Sequence, residues 1–156
     1  MEDTSTRIRE TLRRGKAYGI DTMVFIYHFE ENPTYSPLTK PLFELIEAGE
    51  ARGVTSTLSL MEILVKPKRL GDLAAVEDYK YALTNFPNLK LRSLDMEVAE
   101  KAAEIRARHH IRPPDAIQIG TSLIEGAEAF ITNDSKLKSI SEIEIIIMKE
   151  IIEKRE

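Results

Sequence analysis

PPDAIQIGTSLIEGAEAFITND, residues 113–134, compresses a helix, a stop and a buried strand into one short stretch. Pro113 and Pro114 suit a helix entrance and not its interior. Asp115 follows where a side-chain oxygen meets free backbone N–H groups and the positive end of the helix dipole. Ala116, Ile119, Gly120 and Leu123 recur at helical spacing, Ile117 and Ile124 widen that apolar face, and Gly126 supplies a left-handed stop. Ala129, Phe130 and Ile131 then form a short apolar run that ends in Thr132, Asn133 and Asp134. This pattern predicts a buried strand delivering polar groups at its carboxyl end, where open α/β sheets bind ligands. Each carboxylate also has a plainer reading, Asp115 as a helix cap and Asp134 as an Asx-turn before Ser135 and Lys136.

Working outward, the same arrangement recurs. Ala17, Tyr18 and Ile20 lead to Asp21, and the apolar run from Met23 to Phe29 follows, which predicts a strand feeding a buried helix with Asp21 at the junction. There Asp21 can cap the helix, bind a cation, or do both. Val54 to Thr57 are strand formers that run into LSLMEILV, residues 58–65, where Glu62 is the sole ionisable group among aliphatics. An unpaired buried carboxylate is costly, so Glu62 must reach solvent, meet a base such as Lys66 four residues on, stay protonated, or contact a metal. Pro41 is expected to open a helix carrying Leu42, Leu45 and Ile46 inward. Arg69 to Phe86 reads as one helix with an interruption near Gly71, its tyrosines serving as packing. Leu89, Leu91 and Leu94 alternate as a strand, and Asp95 caps a helix running towards His109. His109 and His110 would point about 100° apart on a helix and make a poor pair of metal ligands. Ile143 to Met148 suit a final strand, Thr6 to Arg14 a loosely docked helix or frayed arm, and the tail a charged, fraying end. Strand and helix alternate without long linkers or repeats, so the predicted class is α/β, with one sheet covered on both faces.

Composition narrows the chemistry. A chain of 156 residues with 42% hydrophobic and 31% charged residues fits one soluble domain. The absence of cysteine removes disulfides, zinc–thiolate sites and thiol nucleophiles, so a metal would be held by oxygen or by the three histidines. No stretch approaches the roughly 20 apolar residues of a membrane span, and a cytoplasmic location without membrane association is the simplest expectation. The net charge of −4 argues against a nonspecific nucleic-acid coat. Two local basic clusters stand out, Lys66, Lys68 and Arg69, and Arg106, Arg108 and Arg112 with His109 and His110. Phosphate contact and solvated helix ends explain them equally well.

Asp21, Glu62, Asp115 and Asp134 are therefore positioned to gather at one sheet edge. Carboxylates brought together in low dielectric repel one another unless a cation neutralises them. Oxygen-only ligation favours Mg²⁺ or Mn²⁺, and such ions support phosphodiester hydrolysis by activating water and stabilising the leaving oxygen. Asp21-Thr22 after an apolar strand, Ser59-Leu60-Met61-Glu62, Pro114-Asp115-Ala116-Ile117 and Thr132-Asn133-Asp134 together resemble the PIN domain, especially its VapC-type toxin ribonucleases. The resemblance spans residues 17–149, leaving an N-terminal helical arm, residues 1–16, and a charged tail, residues 150–156. It implies a three-layer PIN-like fold with a small, mostly parallel sheet flanked by helices. It also implies a Mg²⁺- or Mn²⁺-dependent endoribonuclease with Asp21, Glu62, Asp115 and Asp134 as catalytic, metal-binding acids and Thr132 as a supporting polar residue. An RNA substrate, a protein antitoxin and a homodimer are the partners it implies. Met23, where many relatives carry a small or polar residue, and the longer arm before Ala17 depart from the pattern. Two other readings stay open: a noncatalytic PIN-like module binding RNA or protein, and another Mg²⁺-dependent phosphoryl-transfer protein. Against the latter, receiver domains carry adjacent acids after the first strand, whereas Thr22 follows Asp21.

Overall fold

The computed structural model describes residues 3–153 and contains a five-stranded parallel sheet between two layers of helices. In chain order the elements are α1 (Thr4–Thr11), β1 (Ala17–Ile20), α2 (Thr22–Phe29), α3 (Ser36–Glu47), β2 (Arg52–Ser56), α4 (Thr57–Arg69), α5 (Leu73–Asn85), β3 (Leu89–Arg92), α6 (Met96–Arg108), α7 (Pro113–Ile124), β4 (Ala129–Thr132), a 3-10 turn (Ser135–Ser139), β5 (Glu144–Ile147) and α8 (Met148–Glu153). The strands lie in the order β3-β2-β1-β4-β5. Chain direction across the sheet therefore reverses between β1 and β4, which pair in register from Tyr18↔Ala129 to Ile20↔Ile131. In such sheets that reversal opens a crevice at the carboxyl ends of the two strands.

Strand periodicity divides the core. In β4, Ala129 and Ile131 face one hydrophobic cluster, which holds Ile8 of α1, Val24 and Phe25 of α2, and Leu38, Leu42 and Ile46 of α3. Phe130 faces the other, with Ala102 and Ile105 of α6 and Ala116 and Ile119 of α7. Fully burying each such side chain contributes about 1.5–3 kcal/mol, so both layers hold the sheet firmly. Two glycines set how closely the second layer sits. A Cβ on Gly19 of β1 would lie 1.9 Å from the Ser122 hydroxyl of α7, and one on Gly120 would lie 3.2 Å from the Ala102 backbone nitrogen of α6. Small residues at both contacts let α7 lie directly on β1 and against α6.

The break near Gly71 falls where expected, whereas the start of α3 and the end of β5 differ. The third helix opens at Ser36 with Pro37 in its first turn, and Pro41 lies inside it, forfeiting one backbone hydrogen bond that burial of Leu38, Leu42 and Ile46 offsets. Gly71, at φ +68, separates α4 from α5. The last strand ends at Ile147, and Met148 begins α8, whose Ile151 is buried in the core. Most of the expected frayed tail is thus a docked helix. The N-terminal arm is docked as well: Ile8 is fully buried, and the Arg7 guanidinium donates to the Ile151 and Ile152 carbonyls of α8 at 2.7 and 3.2 Å. Ile8 and Leu12, four residues apart, are the arm's only residues in that core among the described ones, too sparse an apolar face to register as periodicity. The outermost parts of arm and tail, residues 1–2 and 154–156, lie outside the described residues. Among the described residues no helix is long and apolar enough to cross a membrane.

Candidate active site

Asp21 is the residue after β1, where its backbone N–H still donates to the Ile131 carbonyl of β4 at 3.0 Å. One side-chain oxygen accepts from the Thr22 backbone N–H at 2.8 Å and caps α2; the other accepts from the Thr132 hydroxyl at 2.7 Å. Asp134 follows β4 by two residues and caps the 3-10 turn by accepting from the Lys136 N–H at 3.0 Å. Asp115 sits in the first turn of α7, only 8% exposed. Glu62, in the second turn of α4, accepts from the Thr22 hydroxyl at 2.7 Å. Lys66 is not its partner; that ammonium pairs with Glu30 at 3.1 Å.

All four acids line one cleft of about 490 Å³ at the carboxyl edge of the sheet, with Arg112, Gln118, Tyr27, Thr132 and Asn133 among its other walls. Their charges act on one another. Burial pushes the Asp21 carboxyl up to about 6, against its hydrogen bonds from Thr132 and Thr22, and the charges of Asp115 and Glu62 push the same way. Burial raises Asp115 too; Arg112, whose Nε donates to it at 3.3 Å, opposes the rise and the Asp134 charge adds to it. Among the described residues, however, no three acidic or imidazole side chains stand close enough to cage an ion outright. The donor set suits a hard cation that keeps part of its water shell and touches one or two carboxylates directly, as Mg²⁺ does.

The basic clusters are largely engaged elsewhere. Arg108 pairs with Glu104, His109 with Glu142 at 2.8 Å, and Arg106 donates to the Ile111 carbonyl. Arg112 alone of these residues lines the cleft.

Beneath the acids lies a buried polar layer that sequence periodicity had not marked: Thr55, Ser56, Ser59, Thr22 and Gln118, all at most 4% exposed. Gln118 stands three residues after Asp115, so both project from one face of α7. A long amide set between Ile117 and Ile119 was the available signal.

A family model described as "PIN domain" matches residues 18–143. No curated protein matches the chain in sequence. Among solved structures, a toxin–antitoxin complex from Klebsiella pneumoniae contains a chain 20% identical to this one, with a TM-score of 0.64 over 85% of this chain and 97% of that one. VapBC2 from Rickettsia felis, bound to a DNA fragment from its promoter, gives 16% identity and a TM-score of 0.67 over 84% and 98%. DNA-bound VapBC from Salmonella typhimurium gives 23% and 0.61 over 85% and 98%. These identities speak to a shared fold.

Proposed function

The chain belongs to the PIN domain family, and from that premise we propose that it is a metal-dependent endoribonuclease, the toxin of a VapBC-type toxin–antitoxin pair, acting on RNA in the cytoplasm. The observation that carries this reading is the gathering of Asp21, Glu62, Asp115 and Asp134, from four separate elements, around one cleft at the sheet's reversal point. These acids would hold Mg²⁺ or Mn²⁺, Asp21, Glu62 and Asp115 around the principal ion and Asp134 beside a second or transient one. When bound, the metal activates water for attack on a phosphodiester and stabilises the departing oxygen. The chain's own residues do the rest. The Thr132 hydroxyl and the Thr22 backbone N–H hold both oxygens of Asp21, so its carboxylate is oriented before any ligand arrives. Arg112, exposed at the mouth, offers a planar guanidinium to an RNA phosphate once Asp115 turns to the cation.

The similar structures are toxin–antitoxin complexes, which supports an antitoxin as partner for this chain. The exposed apolar side chains Met61, Leu94 and Met96 supply surface for a second copy, consistent with a homodimer. Incubation of the purified protein with RNA tests the central claim. Cleavage is expected only with Mg²⁺ or Mn²⁺, and Asp21→Asn or Asp115→Asn should abolish it while far-UV circular dichroism stays unchanged. Full activity in either variant would refute the assignment.

One observation favours a second reading, a noncatalytic PIN-like binding module. The Arg112 guanidinium already donates to Asp115 at 3.3 Å, so this carboxylate has a cationic partner without a metal. Calorimetric titration separates the two: the module reading expects RNA binding with no Mn²⁺ binding at millimolar concentration.

A further inference from the structure

Gln118 is 2% exposed and makes more hydrogen bonds than any helix-packing role requires. Its carbonyl oxygen accepts from the Ser56 backbone N–H at 3.3 Å. That contact fixes the amide's orientation, because the reversed amide would set NH₂ against N–H. The NH₂ end must then point the other way, and it does: Nε2 donates to the Ser59 hydroxyl at 2.7 Å and to the Thr22 hydroxyl at 3.3 Å.

Following the hydrogens gives direction to both branches. Thr55 spends its single hydroxyl hydrogen on the Ile20 carbonyl at 2.8 Å, so it accepts from Ser59 at 2.7 Å. Ser59, having given its hydrogen to Thr55, accepts from Gln118. Thr22 accepts from Gln118 and gives its hydrogen to Glu62 at 2.7 Å. Ser59 and Thr22 are 3.0 Å apart, but both hydrogens are already committed. Gln118 is the one side chain in this layer with two hydrogens to donate, and it joins two branches whose sense is set at their far ends by acceptors, the Ile20 carbonyl and the Glu62 carboxylate.

We propose that Gln118 is a positioning residue: its amide N–H holds the Thr22 oxygen where the Thr22 hydrogen reaches Glu62, and so fixes that carboxylate's direction in the cleft. The geometry stands on the hydrogen-bond layer alone; the nuclease reading is needed only for what Glu62 is positioned to do. Groups that orient a metal-binding carboxylate in this way are typically worth about 10–100-fold in metal affinity or activity.

Two measurements test it on the whole protein. In ¹⁵N-resolved spectra of the metal-free protein, the Gln118 side-chain amide pair should be protected from exchange and should shift in both Thr22→Val and Glu62→Gln. In calorimetric Mn²⁺ titrations, Gln118→Met and Thr22→Val should each weaken binding about tenfold, the double variant no further, and Thr22→Ser should keep wild-type affinity. A purely structural glutamine would lower stability and leave the folded protein's affinity unchanged. An amide pair that exchanges freely and ignores both substitutions overturns the proposal, as do losses that multiply in the double variant. Should Gln118→Met not fold, the contrast between Thr22→Val and Thr22→Ser decides together with the spectra. Wild-type protein that shows the coupled amide but binds no Mn²⁺ would sink the nuclease reading and leave the positioning chain standing.

Discussion

At neutral pH the Asp21 carboxylate carries a charge that its surroundings disfavour. Its folded pKa, about 6, lies above the ordinary value of 3.8 because burial and two neighbouring acids oppose ionisation. Between those values the folded protein holds a proton that the unfolded chain has released, so acidification from pH 7 towards pH 4 stabilises the fold through this group. Above the folded pKa the charge costs up to about 3 kcal/mol. Asparagine keeps the cap on α2 and removes the charge. Asp21→Asn is therefore expected to raise the melting temperature of the metal-free protein at pH 7, with the gain vanishing by pH 4, even as the proposed function expects it to abolish cleavage. A variant less stable than wild type at pH 7 would show that burial of this carboxylate is not the governing cost. The same group predicts that Mn²⁺ raises the melting temperature of the wild-type protein and leaves that of Asp21→Asn nearly unmoved.

Packing of whole elements decides how well that cleft is held. Because α7 lies on Gly19, Gly19→Ala forces a methyl group into Ser122 and should cost at least about 1–3 kcal/mol in urea unfolding, with Asp115 displaced along with its helix. Ile8→Ala should cost about 2–5 kcal/mol despite sitting in a helix expected to hang loosely, since Ile8 is wholly buried. Elements differ in how far their sequences disclose them. β4 and α7 were legible because Pro113, Pro114, Gly126 and the Ala129–Ile131 run mark their own boundaries locally. Asp21, Asp115 and Asp134 could be placed at strand ends and a helix entrance for the same reason. The docking of α1 was not legible, because its partners lie in α3 and α8, far along the chain. Ser59, Thr55 and Gln118 were hidden similarly: each reads as an ordinary small or polar residue until four elements bring their hydrogens together. Pro41 misled because a proline ordinarily marks a helix start, and Pro37 held that place.

Across the whole molecule, ion pairs tie the periphery to the α7 layer. Arg92 at the end of β3 donates to Glu125, which follows α7, and to Asp95 and Glu97 at the start of α6. Burial alone would raise Glu125, but hydrogen bonds from Arg92 and Lys90 outweigh it and hold the carboxyl below its usual value of 4.5. A depressed carboxylate stabilises the fold above its unfolded pKa and loses that contribution as pH falls through the folded one. Glu125→Gln should thus lower the melting temperature at pH 7, and its gap to wild type should close in acid below 4.5; a gap independent of pH would mean the loss is one of packing.

The pairing of β1 with β4, Tyr18 against Ala129, joins segments synthesised far apart in time. A nascent polypeptide that has emerged through Asp115 already bears three of the four acids, yet it lacks the strand that closes the crevice beside Asp21. No fragment that stops short of that strand can assemble the crevice, however many of the acids it carries.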